Sequence, residues 1–281
     1  MSNNIIPLHQ GRDHATRERE KQLLAVMRER GPLLVSFSGR MESCYTVELC
    51  RQAGVTIQAI TVDNPTLPRR DVSRAKRYCA HYGIPHLVVQ SDEVLYFSSH
   101  GREKHDPLNP IEKVLRIRSE HPEWSKWPLL VPGSIDDLAL YRHFFGEPSL
   151  DSWWLFAEAG MTTRDFCYGF HQHRLGVWGS NEPDCLSLRF SCDEEIDGDR
   201  LRMVDLAEQM LKDLGMPDAR VFFHTLADRQ TLLCRVRLPD SERAMAFDRQ
   251  HELMSALQMC GFDLVTLDLH RIDDSPELGV L

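Results

Sequence analysis

The stretch Leu33-Leu34-Val35-Ser36-Phe37-Ser38-Gly39-Arg40-Met41-Glu42-Ser43 constrains the fold more than any other part of the chain. An apolar run of strand length breaks into a loop of small residues, and Cys44-Tyr45-Thr46-Val47-Glu48-Leu49-Cys50 then continues as a helix. Strand, tight loop and helix in that order bring backbone N–H groups and a helix N-terminus to one point, where they attract an anion. Ser38 and Ser43 add hydroxyl donors, and Gly39 lets a backbone approach closely. An ordinary strand-to-helix connection carries the same residue types, so the loop by itself leaves both readings open.

The rest of the chain supplies the sheet that such a loop needs. Residues 12–30 form an amphipathic helix with Leu23, Leu24, Val26 and Met27 on one stripe, stopped by Gly31-Pro32. Residues 55–62 are a β-branched second strand ended by Asp63-Asn64-Pro65. Leu67-Pro68-Arg69-Arg70-Asp71 leads into a helix that runs to about His81, and His86–Gln90 is a third strand. Strands alternating with helices predict an α/β fold, a parallel sheet with helices on both faces. Residues 98–128 show no assignable pattern. Leu129-Leu130-Val131-Pro132 is the next strand, and Gly133-Ser134-Ile135-Asp136-Asp137 is a second loop at the carboxyl ends of the strands, where open α/β sheets bind ligands. Thr162 caps a helix that ends near Gly176. Beyond Pro183 the pattern changes to a helix at 194–214, strands at 220–224 and 231–238, a helix at 247–259 and a strand at 264–269. The expected organisation is a domain over 12–183 and a smaller C-terminal α+β domain over 184–272.

Composition bounds the partners. With 281 residues the chain holds one large domain or two modest ones. A net charge of −9 argues against a general nucleic-acid or membrane-surface binder, while leaving room for a local basic pocket. No apolar run approaches the roughly 20 residues of a membrane span. Met1-Ser2-Asn3-Asn4-Ile5-Ile6 does not read as a signal peptide, so the expectation is a cytoplasmic protein. Eight scattered cysteines include no C-x-x-C pair, which predicts reduced thiols and no structural metal site.

Several segments together resemble a known family. The loop is similar to the S-G-G-x-D-S loop of the PP-loop ATP pyrophosphatases: Ser38, Gly39 and Ser43 match, Arg40 stands for the second Gly, and Glu42 for the Asp. Residues 61–70, Thr-Val-Asp-Asn-Pro-Thr-Leu-Pro-Arg-Arg, resemble the T-x-x-S-P-x-L-P-R-R segment of the LarE family, the ATP-dependent sacrificial sulfur transferases. Gly133–Leu138 with Tyr141-Arg142 is similar to G-T-N-x-D-D-L…Y-R, residues 157–162 to A-E-A-G-L-T, residues 184–190 to A-C-L-S-S-R-F, and residues 261–269 to G-F-x-x-V-T-L-D-L. The segments occur in family order from about residue 20 to 270.

The resemblance implies a set of roles. ATP with Mg²⁺ would adenylate a small carboxylated, nucleotide-like substrate, and Cys185 would donate its own sulfur, becoming dehydroalanine. Cys185 and Glu42 are the candidate catalytic residues. Phe37, Ser38, Gly39, Arg40, Met41, Ser43, Thr61, Asp63, Arg69, Arg70, Gly133 and Asp136 are the candidate nucleotide-binding residues, and Arg142, Arg189 and Arg220 the candidate substrate-phosphate binders. Residues 69 and 70 put two cations at a helix start against the dipole, which favours a ligand there. Asp136 serves equally as an N-cap, Cys185 as a buried thiol and Arg220 as a strand residue. The resemblance also suggests a homo-oligomer.

The departures from the family pattern fall on chemistry. The segment N-P-x-x-R-C-x-x-C-K has its counterpart at residues 109–118 without either cysteine, which removes an iron–sulfur version of the reaction and leaves the single-cysteine one. Phe222 stands where a second family arginine is expected and Arg237 where a Glu is expected; the family's closing segment is not recognisable near His270-Arg271-Ile272. Two further functions remain open: an amide ligase that adenylates without moving sulfur, and a degenerate PP-loop protein that binds nucleotide or a partner without catalysis.

Overall fold

In the computed structural model the described residues are 8–93, 109–178, 185–191, 194, 196–228 and 230–270. They group into two compact units. Cys192, Asp184, and the domain limits expected at 183–184 and 272 lie outside the described residues.

The first unit contains α1 (Leu8–Arg30), β1 (Leu33–Ser36), α2 (Met41–Ala53), β2 (Ile57–Asp63), α3 (Arg69–Tyr82), β3 (His86–Gln90), α4 (Pro110–Glu120), β4 (Leu129–Leu130), α5 (Ile135–Phe145), β5 (Ser152–Trp153), α6 (Leu155–Glu158) and α7 (Thr163–Gln172), except that Arg69 and Arg70 of α3 belong to the second unit. The five strands form one sheet in the order β3-β2-β1-β4-β5, and every pairing is parallel. This is an α/β fold with an all-parallel sheet flanked by helices. The chain steps from β1 to β2 and β3 on one side, then returns to place β4 on the other. Leu33, Leu34 and Val35 are fully buried because the central strand is covered on both faces, which is why it reads as a continuous apolar run.

Residues 98–128, opaque to periodicity, contain α4. Asn109 caps it by accepting from the backbone N–H of Ile111 (3.1 Å) and Glu112 (3.3 Å), with Pro110 at the first helical position. Thr162 caps α7 as expected, in a reciprocal capping box with Asp165. The stripe on α1 is narrower than expected: Leu23 and Met27 are buried, but Val26 is exposed.

The second unit contains Asn64–Arg70 together with α8 (Gly198–Asp213), β6 (Arg220–Thr225), β7 (Leu232–Arg237), α9 (Asp240–Asp248), α10 (Gln250–Met259) and β8 (Leu264–Leu267). Its sheet has the order β6-β7-β8, with β6 and β7 antiparallel and β7 and β8 parallel. The parallel step runs through α9 and α10, as a crossover must. Residues 247–259 therefore do not form one helix: the run breaks at Arg249, and α9 starts upstream at Asp240. Val221, Phe223, Cys234 and Val236 alternate into a core with Leu201, Val204 and Leu211 of α8.

Candidate functional site

The loop after β1 is set by packing and by its own hydrogen bonds. The Phe37 N–H bonds the Ile60 carbonyl at 2.8 Å, extending the sheet, and the ring is buried in the core. Gly39 has φ +77°, and a Cβ there would lie 2.6 Å from the Asp71 carbonyl oxygen and 2.8 Å from the Ala75 nitrogen. Only glycine lets the loop turn against α3. The Arg40 N–H bonds Ser38 Oγ (3.3 Å), the Ser43 hydroxyl donates to the Arg40 carbonyl (3.0 Å), and the two serine oxygens are 3.3 Å apart. Arg40 occupies the N-cap of α2 in extended geometry and supplies no side-chain cap. Met41 and Ser43 are almost wholly buried, so Phe37 and Met41 offer a ligand backbone groups rather than side chains.

Two parallel neighbours flank this loop. Thr61 on β2 is buried, donates to the Phe37 carbonyl and lies 2.7 Å from His86 Nε2. Asp63, at the end of β2, accepts from Gln90 Nε2 at 2.7 Å. On the other side of β1, the chain leaves β4 through Val131–Ser134. A Cβ on Gly133 would lie 2.5 Å from the Trp154 ring, so this glycine is required by the indole packed on it. Ser134 and Asp137 form the capping box of α5, while Asp136 accepts from the Thr163 N–H (3.2 Å) and hydroxyl (3.1 Å) at the start of α7. The Asp136 carboxylate thus secures a helix start.

Arg142 is not brought to these loops. It lies in the last turn of α5, about 12 Å along the axis from Ser134 at 1.5 Å per residue. There it pairs with Glu147 at 3.1 Å and lines an open cavity of about 780 Å³ with Arg118, Trp153 and Trp154.

In the second unit the predicted arginines have structural partners. The Arg69 guanidinium donates to the carbonyls of Asn64 (3.0 Å) and Leu67 (2.8 Å), closing that turn. Its N–H bonds Asp205 Oδ2 at 3.2 Å; burial raises the Asp205 pKa, and that bond and the nearby arginines offset the rise only in part. Arg70 and Arg189 share the buried Glu208, at 3.0 and 2.8 Å. Asp205 and Glu208 therefore answer the two cations at the start of α3 without any ligand. Arg220 is buried and donates to the carbonyls of Asp218 and Ala219, each at 3.0 Å.

Cys185 is half-buried at the start of a short 3₁₀ turn, with Sγ 2.9 Å from Ser187 Oγ. Leu186 bonds the Thr66 carbonyl at 3.0 Å, which ties the turn to Asn64–Arg70. The other described thiols are disfavoured as thiolates: burial pushes Cys50 and Cys79 up to about 12, and raises Cys44, Cys167, Cys234 and Cys260.

Sequence reasoning missed one cluster. Phe222 is ringed by the guanidinium groups of Arg189, Arg235 and Arg237, and the last two converge on Asp268. Its signal was present as alternate polar positions on two adjacent strands. Among the described residues, no group of three His, Cys, Asp or Glu side chains is arranged to hold a metal ion, and no helix is long and apolar enough to cross a membrane.

The all-parallel order, with loops leaving β1 and β4 on either side of the point where the chain reverses, defines an α/β protein compatible with a Rossmann-like or PP-loop fold. The chain is 27% identical over 260 residues to the uncharacterized protein slr1717 of Synechocystis sp., a match that covers 84% of this chain and 88% of that protein. No family model matches the chain.

Proposed function

We propose that this protein is an ATP-dependent transferase of the PP-loop type that adenylates a small carboxylated substrate and passes it sulfur from Cys185. In this reading the first unit is the PP-loop fold and the second a C-terminal α+β domain. The observation that carries the nucleotide half is the switch point between β1 and β4, with the Ser38–Ser43 loop and an uncapped helix N-terminus on β1. The Ser38 hydroxyl, the backbone of Phe37–Met41 and the Arg40 guanidinium are the groups suited to phosphate oxygens, with Ser43 holding the loop through the Arg40 carbonyl. Thr61 and Asp63 border them at the end of β2. ATP supplies the adenylyl group, and Mg²⁺ arrives on its phosphates, since this cation keeps most of its ligands as water and phosphate oxygen.

The sulfur half rests on Cys185. Its sulfur lies 2.9 Å from the Ser187 hydroxyl, which can hydrogen-bond the sulfur anion. Thiolate attack on the activated carbonyl expels AMP and forms a thioester; β-elimination then leaves a thiocarboxylate on the substrate and dehydroalanine at 185.

The test is incubation with ATP, Mg²⁺ and carboxylated pyridine nucleotides, followed by assay of AMP and pyrophosphate and by intact mass. Turnover should leave Cys185 about 34 Da lighter, the loss of H₂S from a sacrificed thiol. Pyrophosphate release with an unchanged mass would sink the sulfur role and leave an amide ligase, whose activity survives Cys185→Ala. One observation favours a second reading, binding without turnover: Arg40 replaces a capping residue and places a cation at the positive end of α2. That reading predicts a nucleotide-dependent rise in melting temperature with no pyrophosphate.

A further inference from the structure

One face of α3 forms the floor of the loop after β1. Asp71, Ala75 and Tyr78 recur on it at helical spacing and are buried. The Asp71 carbonyl oxygen and the Ala75 nitrogen are the atoms that exclude a side chain at Gly39, and the Tyr78 hydroxyl donates to the Cys44 carbonyl at 3.2 Å. Arg74 stands on the same face, and its Nη1 donates to Asp71 Oδ1 at 2.8 Å and to the Gly39 carbonyl at 3.4 Å. The Asp71 side chain is wholly buried, and that of Arg74 is 15% exposed. The carboxylate is the fixed end of the pair, and the guanidinium reaches from it to the loop.

The Gly39 carbonyl is a place where such a hold matters. Glycine turns the chain here at φ +77°, and without a Cβ it leaves the peptide that follows free to rotate. That peptide is trans, so its carbonyl and the Arg40 N–H point opposite ways. Arg74 holds the carbonyl on the α3 side, and the N–H is turned the other way, to Ser38 Oγ at 3.3 Å. Rotation of this one plane would exchange the two and present an oxygen where the loop now presents a donor. The next carbonyl, that of Arg40, needs no outside help, because the Cys44 N–H (2.9 Å) and the Ser43 hydroxyl (3.0 Å) of α2 both bond it.

We propose that Arg74 is a positioning residue of the nucleotide loop: anchored by Asp71, it holds the Gly39 carbonyl against α3 and so keeps the Arg40 N–H turned into the loop for a phosphate oxygen. An anion repelled by an inward carbonyl oxygen would have to turn the plane at its own expense, so a pre-set N–H raises affinity without a new contact. The inference rests on the reading of this loop as a phosphate cradle and adds the residue that sets its donor. The orientation of the peptide can be measured with no nucleotide present, which separates the two claims.

The experiment is amide hydrogen exchange on the full chain, wild type against Arg74→Met and Arg74→Lys, followed by titration of each with ATP and Mg²⁺. Methionine keeps an unbranched apolar stem and removes the donor. Lysine restores it, because a single nitrogen makes both bonds in the wild type and an ammonium can replace that nitrogen. Without nucleotide, exchange over residues 38–41 should rise roughly fivefold in Arg74→Met, with β1 and the rest of α2 unchanged, and stay within roughly twofold of wild type in Arg74→Lys. ATP affinity should fall roughly fivefold in Arg74→Met and recover in Arg74→Lys. A wild type that binds no ATP, with loop exchange still set by residue 74, would remove the nucleotide reading and leave the hold on the loop standing. Unchanged loop exchange in Arg74→Met, a rise spread evenly over the first unit, no recovery in Arg74→Lys, or unchanged ATP affinity in a loosened loop would each overturn the proposal. If Arg74→Met fails to fold, Asp71→Asn, which keeps the side-chain shape and removes the anchoring charge, should raise loop exchange in its place, and no rise would overturn it.

Discussion

Replacing Gly39 by Ala separates two costs that the structure predicts at one position. The first is conformational: φ is +77°, and an L-residue held in the left-handed region costs about 1–2 kcal/mol. The second is contact. The new Cβ would stand 2.6 Å from the Asp71 carbonyl oxygen and 2.8 Å from the Ala75 nitrogen, both backbone atoms of a helix that cannot rotate aside. Overpacking of this kind costs about 1–3 kcal/mol. The sum is about 2–5 kcal/mol of lost stability. Gly54→Ala is the internal control: its φ is +69°, with nothing within 4 Å of the added Cβ, so it carries the first cost alone. Urea unfolding of the two variants measures both, read from the midpoint with the slope unchanged. Gly39→Ala should lie below Gly54→Ala by about 1–3 kcal/mol. A gap smaller than about 0.5 kcal/mol, the ordinary scatter of neutral substitutions, would refute the claim that the loop is shaped by its contact with α3.

Two further outcomes follow from buried charge. Glu208 is 2% exposed and holds Arg70, Arg189 and the Val221 N–H, so Glu208→Ala should destabilise the protein by about 3–5 kcal/mol in chemical denaturation; a loss under about 1 kcal/mol would show that the pairs are not formed. Glu20 bonds both the Tyr45 hydroxyl and His173 Nε2. Burial raises the Glu20 pKa, but the His173 and Tyr45 bonds outweigh it and leave the pKa below its ordinary 4.5; its contribution is present above that value and fades as pH falls through the folded value. The Glu20 bond raises the His173 pKa above its ordinary 6.5, so that contribution is present below 6.5 and fades as pH rises through the folded value. The pair therefore stabilises most between about pH 4.5 and 6.5. Melting temperature against pH should converge between wild type and His173→Ala above this window; a constant offset across it would contradict the pairing.

What the sequence showed and hid follows from how each element is made. β1 and β2 were legible because strands covered on both faces are continuous apolar runs. α4 was legible in principle, from Asn109-Pro110, but its charged surroundings masked the cap signal. β5 has two residues, Ser152 and Trp153, too few for any periodicity, and exists because β4 offers it a parallel edge. The break at Arg249 involves neither Gly nor Pro, so nothing in the local sequence marks it. The cluster around Phe222 shows the same limit at the level of function. Alternation put Arg220 and Phe222 on one face and Arg235 and Arg237 on one face, but only the register makes Phe222 the partner of Arg235.

Register also changes the meaning of the departures from the resembled family. Judged by position in the sequence, Phe222 removes a cation and Arg237 replaces an anion, which looks like the erosion of a binding site. In the folded sheet the two positions lie on one face, with the Arg237 guanidinium 4.9 Å from the Phe222 ring centroid and Asp268 bonding Arg237 and Arg235 alike. A cation on β7 beside an aromatic on β6 keeps positive charge on that face and moves it one strand. Erosion leaves unsupported side chains; here each arginine is oriented by a carboxylate or an imidazole. Such support has an entropic cost, since an arginine gives up close to 2 kcal/mol of rotamer freedom when fully fixed. The pairs that meet this cost at Arg70, Arg189 and Glu208 also hold the unit together.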